Sequence, residues 1–235
     1  ALVFVLPVQA APLKLVAAHN QTSQENPYQY GMLKFKEVVE KLSNGEISVD
    51  VHAGTIGTNE DELVEKLKLG AADVVVASPG FMTKIGIPEV DLFSLLYLFN
   101  SFGHWEKAVD GEAGQTLAKI INEKSKNSFR IAAYWSAGVR NYYGKKPINS
   151  MDDLKGMKIR TQMSGVVADF WKQTGAIPTQ VAWGELYQAL QQGIEIGCRR
   201  YHAAQAVKRI DLLGEAPEIT LLFFKLLPQL PVSAH

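Results

Sequence analysis

The sequence predicts an α/β protein of two lobes, each a mostly parallel sheet flanked by helices. Three observations carry that expectation. From Leu13 onward, short apolar runs alternate with stretches of helical periodicity, the order that produces parallel sheets. One run, DVVVAS over 73–78, is continuously apolar at its centre, the pattern of a strand covered on both faces. The alternation then begins again after Ser136-Ala137-Gly138, where small residues permit a bend.

Each element has a local reason. Residues 13–18 (LKLVAA) read as a strand and 19–26 as a polar loop. Pro27 opens a helix, where its missing N–H costs little. Phe35, Val38, Val39 and Leu42 recur at helical spacing and predict one apolar face, and Asn44-Gly45 ends the helix. Ile47, Val49 and Val51 alternate with polar partners as a second strand. Gly54 and Gly57 mark a turn. Thr58 or Asn59 is placed to cap the next helix, with Glu60, Asp61 and Glu62 in the first turn, where the helix dipole favours negative charge. Leu63, Val64 and Leu67 face inward, and Gly70 closes that helix. Beyond 129–135, a further strand, come strands over 139–144, 157–161 and 177–181. A helix start at 150–153 and helices over 165–174 and 183–192 alternate with them. The expected division is 12–136 for the first lobe, 137–218 for the second, and 219–235 as an irregular or return segment.

Composition narrows the function. The 235 residues hold 24 basic and 24 acidic side chains. That balance argues against nucleic acid as the main partner and against a polybasic membrane anchor. Residues 1–11 (ALVFVLPVQAA) read as the end of a signal peptide, an apolar run followed by small residues, which predicts an exported protein. No other stretch reaches the ~20 apolar residues that span a bilayer, so the chain is not expected to cross a membrane. Cys198 is the single cysteine, which rules out an intramolecular disulfide and a Cys-based zinc site.

Two arginines stand out at expected strand ends, Arg140 beyond the small-residue bend and Arg160 in KIRT. Ligand crevices in α/β sheets border the carboxyl ends of strands. A guanidinium there offers a planar fork that matches a carboxylate. The competing reading of each is a surface arginine or an internal ion pair. Trp183 begins a helix directly after a strand and suits a pocket wall. Other aromatics nearby, among them Trp135, Trp171 and Tyr187, suggest a ligand with an apolar body, although core packing is the favoured reading for Trp135 and Trp171 and an even alternative for Trp183. Searches for nucleophile elbows, phosphate-binding glycine loops and HExxH metal motifs find none, so no catalytic residue, cofactor or metal is expected.

At these residues the sequence resembles a known family. GTNE over 57–60 precedes a helix that ends KLGAAD at 68–73. IPEVDLF follows at 87–93, then LKGMKIR at 154–160 and AWGELYQALQQG at 182–193. In this order the blocks resemble the substrate-binding proteins of tripartite ATP-independent periplasmic (TRAP) transporters, in the dicarboxylate-binding-protein family. The resemblance implies a periplasmic-binding-protein-like clamp that closes on a small organic acid and hands it to membrane permease subunits. It implies a periplasmic location, with Arg160 as the carboxylate anchor, Arg140 as a second arginine and Trp183 as the aromatic wall. First-lobe contacts would come from the 20–26 loop, including Asn26, and from Asn59, Glu60 and Ser78. Two alternatives share the scaffold: a ligand-sensing module for a receptor, and an enzyme.

The sequence departs from the family pattern in three places. Leu96 stands where the family commonly has Pro. After Gly193, IEIGCRR replaces the family's run and its ligand-facing Asn. The stretch to His235 is short, as if truncated, and the changed text over 196–210 reads like an altered reading frame. These departures predict reduced stability and weaker binding.

Overall fold

The computed structural model describes residues 11–144, 146–162, 164–199 and 217–225. The first part runs β1 (Leu13–His19), α1 (Pro27–Leu42), β2 (Ile47–Ala53), α2 (Glu60–Leu69), β3 (Val74–Ala77) and α3 (Phe81–Lys84). A 3₁₀ turn (Pro88–Ser94) leads to α4 (Phe102–Asp110), α5 (Glu112–Lys124) and the long strand β4 (Phe129–Tyr143). Then come a 3₁₀ turn (Met151–Leu154), β5 (Lys158–Thr161), α6 (Gly165–Gln173) and β6 (Ile177–Gln180). A 3₁₀ turn (Trp183–Glu185), α7 (Leu186–Gln191), β7 (Glu195–Arg199) and β8 (Pro217–Lys225) complete the described elements.

The strands form one ladder in the order β2-β1-β3-β8-β4-β7-β5-β6. β1 is parallel to β2 and β3, and β5 is parallel to β6 and β7. Between these parallel groups lie antiparallel pairs, β3 with β8, β8 with β4, and β4 with β7. Each parallel group carries its own helices, which gives the two lobes of an α/β protein.

β3 explains why its sequence is continuously apolar. Val75 and Ala77 enter one core with Leu63, Leu67, Met82 and Ile121, while Val74 and Val76 enter another with Tyr28, Met32 and Leu15. Successive side chains alternate between two helical layers, so neither face tolerates a polar residue. A third core in the second lobe gathers Leu154, Ile159, Val167 and Trp171, with Leu96 packed against it. Among the described residues no helix is long and apolar enough to cross a membrane.

Two expectations change. The buried stripe of α1 is Tyr28 and Met32, continued by the half-buried Phe35 and Val39; Val38 and Leu42 are exposed, at 39% and 78%. The stripe starts at the helix N-terminus, beside β1, and lies to one side of the face first read. Arg140 is not at a strand end: β4 runs through it and pairs it with Arg199. The small residues 136–138 absorb a register shift against β8 between Ser136 and Val139 without breaking the strand. The Arg140 side chain lies outside the described residues. So do 1–10, 200–216 and 226–235, with most of the expected signal remnant and of the altered segment. Within the expected return segment, residues up to Lys225 belong to β8, inserted between β3 and β4.

Candidate functional site

Buried polar side chains collect where the parallel strands end. His19, Asn20 and Gln21 follow β1, Ser78 follows β3, and Arg160, Thr161 and Ser164 lie at or beyond the end of β5, all under 7% exposed. Desolvated polar groups are costly, so such a concentration marks a built site. A cleft of about 260 Å³ opens there. Asn20, Gln21, Asn59, Glu60, Ser78 and Lys84 line it from the first lobe, and Arg160, Gln162, Gln180 and Trp183 from the second.

Arg160 is 4% exposed. Its Nε and one Nη both donate to the Val181 carbonyl, at 3.0 and 2.8 Å. One acceptor held by two donors fixes the plane of the guanidinium before any ligand arrives, which reduces the ordering cost of binding. The wall opposite is anionic and hydroxylated. Ser78 Oγ donates to Glu60 at 2.6 Å, and Lys84 pairs with Asp61 at 2.6 Å. Asn59 Oδ1 accepts from the Glu62 amide at 2.9 Å and so caps α2 while lining the cleft.

Beneath this wall His19 is fully buried. The Gln21 backbone N–H donates to its Nδ1 at 3.3 Å, so the ring proton sits on Nε2, which donates to Gln29 Oε1 at 2.7 Å. Burial pushes the imidazole pKa down, opposed by the Gln29 bond, and favours the neutral ring.

The structure therefore brings Arg160, Trp183, Asn59, Glu60 and Ser78 to one cleft and leaves Asn26 outside it. Asn26 caps α1 instead: its Oδ1 accepts from the Gln29 amide at 3.0 Å, and its amide donates to the Ser23 carbonyl. The aromatic surround is also thinner than expected. Trp135 and Trp171 belong to the two lobe cores and Tyr187 is exposed, leaving Trp183 with Tyr28 and Phe81 at the cleft. Gln162 and Gln180 were missed. Their signal is positional, since each falls at or just past the end of a parallel strand, as Arg160 does. No group of three or more His, Cys, Asp or Glu able to hold a metal occurs among the described residues.

Comparison with known proteins places this geometry. The family model described as bacterial extracellular solute-binding protein, family 7, matches residues 17–194. The C4-dicarboxylate-binding periplasmic protein DctP of Rhodobacter capsulatus is 30% identical over 192 residues, which cover 82% of this chain and 56% of that one. The sialic acid-binding periplasmic protein SiaP of Vibrio cholerae is 28% identical over 155 residues, 66% of this chain and 47% of that one. The chain thus spans less than two thirds of the length of these relatives. A solved TRAP periplasmic solute binding protein from Pseudomonas putida, with bound D-glucuronate, is 26% identical with a TM-score of 0.78, covering 92% of this chain and 74% of that one. Another from Sulfurospirillum deleyianum, with bound succinate, is 27% identical with a TM-score of 0.76, covering 92% and 71%. The matched span contains every cleft-lining residue named above, and the chain belongs to the bacterial extracellular solute-binding protein family 7.

Proposed function

We propose that this chain is the capturing part of an exported, periplasmic solute-binding protein, which closes on a small organic acid and delivers it to a TRAP-type membrane permease. The observation that carries this reading is the buried Arg160 fork, oriented by the Val181 carbonyl at the edge of a cleft whose other wall belongs to the other lobe. A carboxylate bound there gains charge-assisted hydrogen bonds of about 1.5–3 kcal/mol each, against the ~8 kcal/mol of a micromolar complex. Trp183 shapes the wall. Asn59, Glu60 and Ser78 meet the hydroxyls or amides of the ligand. Arg140 is the second cation of this reading. The lobes divide near 136–138, in the middle of β4. The ligand leaves chemically unchanged.

A thermal-shift screen with succinate, D-glucuronate, galactonate and orotate tests the reading. A binding acid at a hundredfold excess over its dissociation constant stabilises the fold by about 2.7 kcal/mol. At least one acid is expected to raise the melting temperature, to do so no longer in Arg160→Ala, and to be recovered intact after incubation. A cooperative melt that no acid shifts, or conversion of the acid to a product, overturns it.

A further inference from the structure

Asp91 is a buried carboxylate, 2% exposed, in the 3₁₀ turn Pro88–Ser94 of the first lobe. Both of its oxygens are used on the other lobe. Ser164 Oγ donates to Oδ1 at 2.8 Å, and the Val166 backbone N–H donates to Oδ2 at 3.2 Å. Ser164 is also the N-cap of α6, since its Oγ accepts from the Val167 amide at 3.2 Å. Two N–H groups in the first turn of α6 are therefore satisfied from different lobes, that of Val166 by a carboxylate 75 residues earlier in the sequence. The charge suits a helix N-terminus, where the dipole favours an anion.

The same turn is anchored on its other side. Val90 sits in the first-lobe core, and Glu89 pairs with Lys124 of α5. Just beyond it, Leu96 packs against the second-lobe core and the Tyr97 ring lies 6.2 Å from that of Phe170 on α6. None of Asp91, Ser164 and Val166 lines the cleft, but the contact reaches it. The Ser164 carbonyl accepts from Gln180 Nε2 at 3.4 Å, and Gln180 lines the cleft.

We propose that Asp91 is a positioning residue that joins the two lobes: from the first lobe it caps helix α6 of the second and so sets the orientation of the Gln162–Gln180 wall. This carboxylate then joins the lobes in addition to the shared sheet through β4 and to the Leu96 and Tyr97 contacts beside it. The inference rests on the clamp reading, in which the angle between the lobes governs ligand access.

The test needs no ligand. Spin labels at the exposed Lys66→Cys and Lys172→Cys positions, in a Cys198→Ala background, report the inter-lobe distance of the free protein. Asp91→Asn and Ser164→Ala each keep the local packing while removing part of the joint. Both are expected to replace one narrow distance with a broader distribution and to speed amide exchange at Val166 and Val167. The double variant is expected to be at least as broad as either single, because each substitution alone leaves one of the two Asp91 hydrogen bonds possible. A lower melting temperature with the narrow distance retained in both variants overturns the proposal, since that is what a purely local structural role gives. The clamp reading fails by a separate result, a wild-type distance that a stabilising acid does not change.

Discussion

Asn26 and Asn59 occupy the same place at the starts of two helices, yet only one of them meets the cleft. Each accepts a backbone N–H from the first turn, at 3.0 and 2.9 Å, as Asn at N-caps commonly does. Only Asn59, with Thr58, reads as a cap from sequence, while Asn26 reads there as a ligand contact. What lies beyond the cap is decided by tertiary packing, which no local pattern encodes. Asn26→Ala is expected to cost about 1 kcal/mol of stability, with Asn26→Asp restoring it, as read by urea denaturation. His19 gives a pH prediction. Its folded pKa lies below the ordinary 6.5, so the unfolded chain binds more protons once the pH falls below that value. The contribution is therefore complete above about pH 6.5 and is lost as the pH falls through the lowered folded pKa, at no more than about 1.4 kcal/mol per unit. Melting temperatures from pH 7.5 to 5 are expected to fall more steeply in the wild type than in His19→Asn. Parallel profiles contradict the assignment.

At the scale of elements, glycines mark where backbones meet. A Cβ on Gly114 of α5 would stand 1.7 Å from the Val109 carbonyl oxygen of α4, a backbone atom that cannot turn away. A Cβ on Gly31 of α1 would stand 2.6 Å from the Trp135 ring, a half-buried side chain with room to shift. Gly114→Ala is expected to destabilise by about 2–3 kcal/mol and Gly31→Ala by less, compared in one denaturant series. Equal costs would mean that the α4–α5 corner can open. Strands and helices were mostly readable, because Val74–Ala77 and Leu63, Val64 and Leu67 carry their period in their own composition. The turn Pro88–Ser94 was not, since its burial comes from α5 on one side and α6 on the other. Nor was the unbroken course of β4, because small residues read as a bend are equally compatible with a bulge inside a strand.

For the whole molecule, much of the cleft lining was legible: Arg160 and Trp183 from their places beside strand ends, and Asn59, Glu60 and Ser78 through the family resemblance. Arg160 could be found because it sits near the end of a parallel strand, whereas Gln162 and Gln180 are ordinary polar residues that matter only once two lobes face each other. That opposition also dictates how closure responds to ligand. An acid held by one wall alone has equal affinity for open and closed states and shifts nothing, however tightly it binds. On the clamp reading proposed above, compaction therefore requires Arg160 from one side and the Ser78–Glu60 pair from the other. In a small-angle scattering titration with an acid that stabilises the wild type, the radius of gyration is expected to fall as the cleft fills. Arg160→Ala removes the anchor and is expected to show no compaction at any concentration. Ser78→Ala removes one hydrogen bond, worth about 1 kcal/mol, so its compaction is expected to need roughly fivefold more acid. Full compaction of Arg160→Ala would place the carboxylate elsewhere. A wild type that binds acid without compacting would leave a cleft that captures but does not close.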